Sequence, residues 1–180
     1  AGAGQPKKDK AVKGGATAQE LALRQRDISV SEFFTKNRHL LGFDNPRRAL
    51  LAAVKEAVDN SLDACEESGR MPEISVELRE VAEDRIRIVV EDNGPGIVRA
   101  QIPKIFGKLL YGSKFHSLKQ TRGQQGIGIS AAGMYGQLTT GKPVVVTSRT
   151  GPRQPALRLA LRLDLKKNEP VVESQQTVEW

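Results

Sequence analysis

Three segments of this chain carry residue types at spacings that chemistry can use. The first, residues 56–63, reads EAVDNSLD. On a helix, Glu56 and Asn60 stand one turn apart, so their side chains can converge on one point. Leu50, Val54, Ala57 and Ser61 fall on another, less charged face. Charges on a helix usually mean a solvated stripe, but two details argue otherwise here. Asn is a poor residue for a helix interior, and the residue at i+4 from Glu56 is an amide rather than a cation. A carboxylate beside an amide oxygen suits a general base next to a metal ligand. Magnesium takes oxygen ligands, one or two from protein and the rest from water and phosphate.

The second segment, residues 92–96, reads DNGPG and follows an apolar run of Ile and Val. As a plain tight turn it needs no further reading, since Asn-Gly and Pro-Gly pairs are common in turns. Functionally, Asp92 at a strand end can accept a hydrogen bond from an adenine amino group, with Gly94 and Gly96 letting the backbone approach the base. The third segment, residues 122–132, reads RGQQGIGISAA. It is a glycine-rich loop feeding an apolar helix, and free amides at a helix N-terminus bind phosphate. By itself it is a weak signal. It lacks the Gly-Lys-Ser or Gly-Lys-Thr of a Walker loop, and it does not follow a strand as a dinucleotide fingerprint must.

Positioning these segments requires a particular order of elements. Residues 28–41 mix apolar and polar positions and read as a short helix or strap. Asn45 followed by Pro46 is a helix start with proline at the first helical position. That helix is predicted to run from Arg47 to about Glu67, stopped by Gly69 and Pro72. Ile74, Val76 and Leu78 alternate along one strand, and Ile86, Ile88 and Val90 along the next. Glu83 and Asp84 sit between them, predicting an antiparallel hairpin. A short helix is expected over 101–110, a mobile loop over 111–125 and a second helix from about Gly126 to Tyr135. Three strands follow over 144–148, 156–165 and 171–178, with Leu157, Leu159, Leu161 and Leu163 on one face. No internal repeat is visible. This order predicts a two-layer α/β sandwich with a mixed, mostly antiparallel sheet and helices on one face. Helical crossovers are too few for a doubly wound sheet.

Composition sets the outer bounds. A chain of 180 residues can hold one domain with a hydrophobic core. Aromatic residues make up only 4%, so the core is expected to rest on Leu, Ile, Val and Ala. No apolar run reaches the roughly 20 residues of a membrane span, and the first residues lack a signal-peptide pattern. The expected location is cytoplasmic. The single cysteine, Cys65, reads as a buried small hydrophobe and forbids an intrachain disulfide. Neither His39 nor His116 has a neighbour that suggests a metal site. Of the net charge of +7, more than half lies in residues 1–26, where six basic residues face two acidic ones. That tail reads as disordered and basic. It could touch nucleic acid or serve only solubility.

Taken together and in this order, the three segments resemble the N box, G1 box and G2 box of the gyrase, Hsp90, histidine kinase and MutL ATPase superfamily. A narrower resemblance, to the B subunits of DNA topoisomerase VI (the type IIB topoisomerases), rests on further stretches. These are residues 31–38, SEFFTKNR; Gly42, Phe43 and Asp44; residues 55–64, KEAVDNSLDA; residues 106–115, FGKLLYGSKF; and residues 121–132, TRGQQGIGISAA. It is dense over 28–136 and loose beyond. Residues 106–115 discriminate best, because gyrase, MutL and Hsp90 differ there.

The resemblance implies ATP and Mg as cofactors and an ATP-hydrolysing enzyme. Glu56 is then the general base and Asn60 the magnesium ligand. Asp92 reads adenine, with Gly96 beside it. Ser113 and Lys114 contact the nucleotide from a lid over about 97–125. Gly123, Gln124, Gln125, Gly126, Ile127, Gly128, Ile129 and Ser130 cradle the phosphates. Asp59 and Asp63 support the helix face. It further implies a DNA-binding isomerase that relaxes supercoils by ATP-gated double-strand passage. Cleavage belongs to a separate A subunit in an A2B2 heterotetramer, self-dimerisation is ATP-dependent, and no membrane is involved. Within the ATPase domain, 27–180, the strap is expected over about 27–45. The helical and transducer domains of the family have no counterpart in this sequence, so a fragment is expected. Two alternatives stay open: a MutL-like or Hsp90-like ATP-driven clamp, and a nucleotide-binding interaction module without a cleavage partner.

Overall fold

The computed structural model describes residues 30–109, 111 and 127–180. The basic tail, the start of the strap, most of the expected lid and the site candidates Ser113, Lys114, Gly123, Gln124, Gln125 and Gly126 lie outside the described residues. Helix α1 spans Val30–Asn37 and α2 spans Pro46–Glu67. Asn45 caps α2 as its sequence predicts, its side-chain oxygen accepting from the Arg47 and Arg48 amides. Such a cap contributes about 1 kcal/mol. Gly69 ends the helix at φ +69, with its N–H bonded to the Glu66 carbonyl. Strands β1 (Ile74–Ala82) and β2 (Arg85–Asp92) form the expected antiparallel hairpin, turned at Asp84. Helix α3 (Ile102–Gly107) and helix α4 (Gly128–Thr140) follow. Strands β3 (Val144–Ser148), β4 (Ala156–Asp164) and β5 (Glu169–Val178) complete the chain.

The α/β architecture agrees with the sequence reading. The described strands pair only antiparallel and in two ladders, β1-β2 and β3-β4-β5. The ladders meet through the loop after β2. There the Ile97 amide donates to Ser148 Oγ at 2.7 Å, and that hydroxyl donates back to the Ile97 carbonyl at 3.2 Å. A side chain therefore makes the join that a backbone ladder would otherwise make.

Two apolar clusters hold the layers. One joins α1, α2 and α4 around Phe34, Phe43, Ala49, Ala131 and Met134, and it includes Leu109 and Ile127. The other packs Ile102 of α3 against Val146, Leu159 and Leu161 of the three-stranded ladder. The leucine alternation of β4 faces inward as predicted, with Leu157 only half-buried. The core rests mostly on Leu, Ile, Val and Ala as expected, with two aromatics added to it. Phe34 and Phe43 are among the most buried side chains, their rings 5.9 Å apart, with Tyr135 5.4 Å from Phe43. A few aromatics suffice because each fills more volume than an aliphatic chain. The Arg38 guanidinium lies 5.7 Å from both the Phe34 and Tyr135 rings, so cation–π attraction adds to the attachment of α1. Among the described residues, no helix is long and apolar enough to cross a membrane.

Candidate functional site

Helix α2 is the backbone of the site, because it packs against both α4 and the β1-β2 hairpin. Two of its faces therefore meet two other candidate segments. Toward the hairpin, Ser61 is buried and its hydroxyl donates to Asp92 Oδ2 at 2.8 Å. The other carboxylate oxygen, Oδ1, accepts the Gly94 amide at 2.9 Å. Asp92 is thus held at the strand end by one donor on each oxygen, and a carboxylate has lone pairs to spare beyond these.

The turn after Asp92 is fixed from the other side. Asn93 Oδ1 accepts from the Glu73 amide at 3.0 Å and from Cys65 Sγ at 3.3 Å, while its Nδ2 donates to the Met71 carbonyl at 3.0 Å. Arg70 donates to the carbonyls of Asn93 and Gly94 at 2.8 and 2.6 Å. Cys65 is buried as expected, and burial pushes its thiol above the ordinary value, with Asp92 adding to the rise. Gly96 sits at φ +76, and a Cβ there would overlap the carbonyl oxygen of Arg149. Only glycine meets both conditions. Its observed contact is with the end of β3, an additional reason for glycine beyond approach to a ligand.

Toward α4, Glu56 is half-buried against the first residue of that helix. A Cβ at position 128 would overlap Glu56 Oε2 and its carboxyl carbon, so Gly128 is what allows the approach. Burial pushes the Glu56 carboxyl above the ordinary carboxylate value; Lys55 pulls it back and Asp59 adds slightly to the rise. A more basic carboxylate is a better proton acceptor near neutral pH. Lys55 pairs with Asp59 at 2.5 Å, which commits Asp59 to its own helix face. Asn60 is exposed one turn beyond Glu56.

Ile127 stands at the N-cap of α4, and among the described residues no side chain caps that end. The first-turn amides of a helix are donors of the kind that suits an anion. Ile127 turns its side chain into the core, and Ile129 is half-buried. Ser130 is buried, with its hydroxyl donating to the Ile127 carbonyl at 3.1 Å. Among 127–130, backbone groups rather than side chains are the available donors.

The structure brings Glu56 to Gly128, and Asp92 to the same helix that carries Glu56 and Asn60. Sequence reasoning did not find Ser61, which it assigned to the apolar face, nor Ser148. It quoted Asn93 only as part of a turn. A serine on an otherwise apolar helix face was the one available signal.

Residues 45–165 match the family of histidine kinase-, DNA gyrase B-, and HSP90-like ATPases, and the chain belongs to that family. Its sequence is 58% identical over 157 residues to the B subunit of type 2 DNA topoisomerase 6 from Archaeoglobus fulgidus, covering 87% of this chain and 26% of that protein. It is 55% identical over 163 residues to the protein of that name in Methanosarcina acetivorans, covering 91% of this chain and 26% of the relative. For the Halobacterium salinarum protein of that name, the figures are 59% over 161 residues, 89% and 20%. The chain spans about a quarter or less of the length of these curated relatives.

Proposed function

We propose that this chain binds ATP with magnesium and hydrolyses it as the nucleotide-handling part of the B subunit of a type II DNA topoisomerase. The observation that carries the catalytic part is the packing of Glu56 against Gly128. It sets a half-buried, more basic carboxyl beside the start of α4. In this reading the first-turn amides of α4, with residues 123–126 before it, receive the phosphates. Glu56 takes a proton from a water aimed at the γ-phosphate, so that the water oxygen bonds phosphorus as the bond to ADP breaks. Asp92 accepts a hydrogen bond from the adenine amino group, with Gly96 shaping the loop beside it, and Ser113 and Lys114 reach the nucleotide from the lid. The residues fit magnesium: Asn60 offers an exposed amide oxygen one turn from Glu56, while Asp59 is paired with Lys55. Magnesium would neutralise phosphate charge as it develops.

The names of the relatives support the larger assignment. In it, two copies close on ATP, with α1 in the N-terminal strap, and trap a DNA segment. A separate A subunit in an A2B2 assembly cleaves the DNA, and hydrolysis reopens the gate. Titration of the chain with a non-hydrolysable ATP analogue and magnesium tests the binding step, with saturable affinity and dimer formation expected. Turnover is tested in an assembly carrying the rest of the relatives' length. Glu56→Ala there is expected to bind ATP and not hydrolyse it, and wild-type hydrolysis by this variant removes Glu56 from its role.

A further inference from the structure

We infer that Ser61 is the positioning residue that makes Asp92 select adenine over guanine, an inference that rests on the ATP reading above. Ser61 is 6% exposed and lies on α2, next to Asn60 in sequence but turned to the hairpin side. Its hydroxyl donates to Asp92 Oδ2 at 2.8 Å, while the Gly94 amide donates to Oδ1 at 2.9 Å.

Both bonds run toward the carboxylate. Asp92 is therefore held as an acceptor on each oxygen, in one orientation. An amino group, as on adenine, supplies a donor to such a group. The carbonyl that guanine carries in the same place brings a second acceptor, which is repelled. The Gly94 bond spans only two residues, within the turn, and so cannot by itself fix the carboxylate relative to α2. The Ser61 bond spans 31 residues. It joins the base-reading strand to the helix that carries Glu56 and Asn60. Without it, only the Gly94 bond within the turn restrains the carboxylate, its orientation relative to α2 loosens, and the penalty against a guanine carbonyl falls.

The test uses the whole chain with magnesium. It measures the affinities of wild type and Ser61→Ala for non-hydrolysable analogues of ATP and GTP and for inorganic tripolyphosphate. Ser61→Ala is expected to lose about tenfold in ATP-analogue affinity, to narrow the ATP-to-GTP preference, and to keep tripolyphosphate affinity within about twofold of wild type. A general loosening of the fold would weaken all three together, and that result overturns the inference. An unchanged ATP-to-GTP preference in Ser61→Ala also overturns it while leaving the ATP reading intact. Failure of the wild type to prefer the ATP analogue refutes the underlying reading and this inference with it.

Discussion

The two ends of the candidate site, Asp92 proposed to read the base and Glu56 with Asn60 proposed to handle the phosphates, are built differently. Around Asp92, hydrogen bonds from Ser61, Gly94, Asn93 and Arg70 fix the strand end, its turn and the loop after α2 as one unit. Around Glu56 and Asn60, neither side chain carries a hydrogen bond to another described residue. Glu56 is packed with Gly128 against its carboxylate, and Asn60 is exposed one turn further on. The difference follows from the tasks proposed for them. Recognising a flat base needs acceptors held in advance, because an ordered site loses little freedom on binding. Proton transfer and metal ligation need groups whose lone pairs are still available.

Experiments can break this contrast or sharpen it. The largest effect is expected from Glu56→Ala in an assembly that turns over ATP. Turnover should fall by about a hundredfold or more, the usual scale for loss of a general base, with analogue affinity retained. A parallel loss of affinity would mean that the phosphate end is held by Glu56 rather than by packing.

Next is Gly128→Ala, which places a methyl group where the carboxylate now lies. Overpacking of this kind costs about 1–3 kcal/mol. Here part of that is expected as lost turnover, because Glu56 must move. Unchanged kcat would show that Glu56 works from elsewhere.

Asp92→Asn should weaken the ATP analogue by about tenfold or more, from loss of a charge-assisted bond worth about 1.5–3 kcal/mol. Tripolyphosphate affinity should not change. If both ligands weaken equally, the two ends are not separable.

The smallest effect concerns stability. In the folded chain the Glu56 carboxyl titrates above its ordinary value because it is partly buried. Between the unfolded and folded values the folded state binds more protons, so stability falls as pH rises through that window. Glu56→Gln is then expected to raise Tm at neutral pH, with the gain shrinking below about pH 4, where both states hold a protonated carboxyl. An equal gain at both pH values would mean that the charge is not the cause.

Much of this was legible from local pattern. Asn45 with Pro46 gave the start of α2, and the β1-β2 alternation gave the hairpin with its turn at Glu83 and Asp84. The limits of β3 matched residue for residue. Glu56 and Asn60 were legible because helix periodicity fixes which residues share a face. Other features were not. The second predicted helix runs on past Tyr135 to Thr140, where Gly141 ends it at φ +67. The sequence did not mark residues 136–140 as helical because Gly136 and two threonines are weak helix formers and Leu138 is their one apolar position. The Phe34, Phe43 and Tyr135 cluster gathers rings from three separated segments, which no periodicity reports.

The sequence by itself determined the element order, the helix start and the three motifs, since each depends on residues within a few positions of one another. Only the tertiary structure decided that Ser61 turns to Asp92, that Ser148 joins the loop after β2 to β3, and that Gly128 lies against Glu56. These contacts depend on how α2 is rotated and shifted against the hairpin and α4. That rotation is set by the packing of the whole core, not by the residues of any one segment.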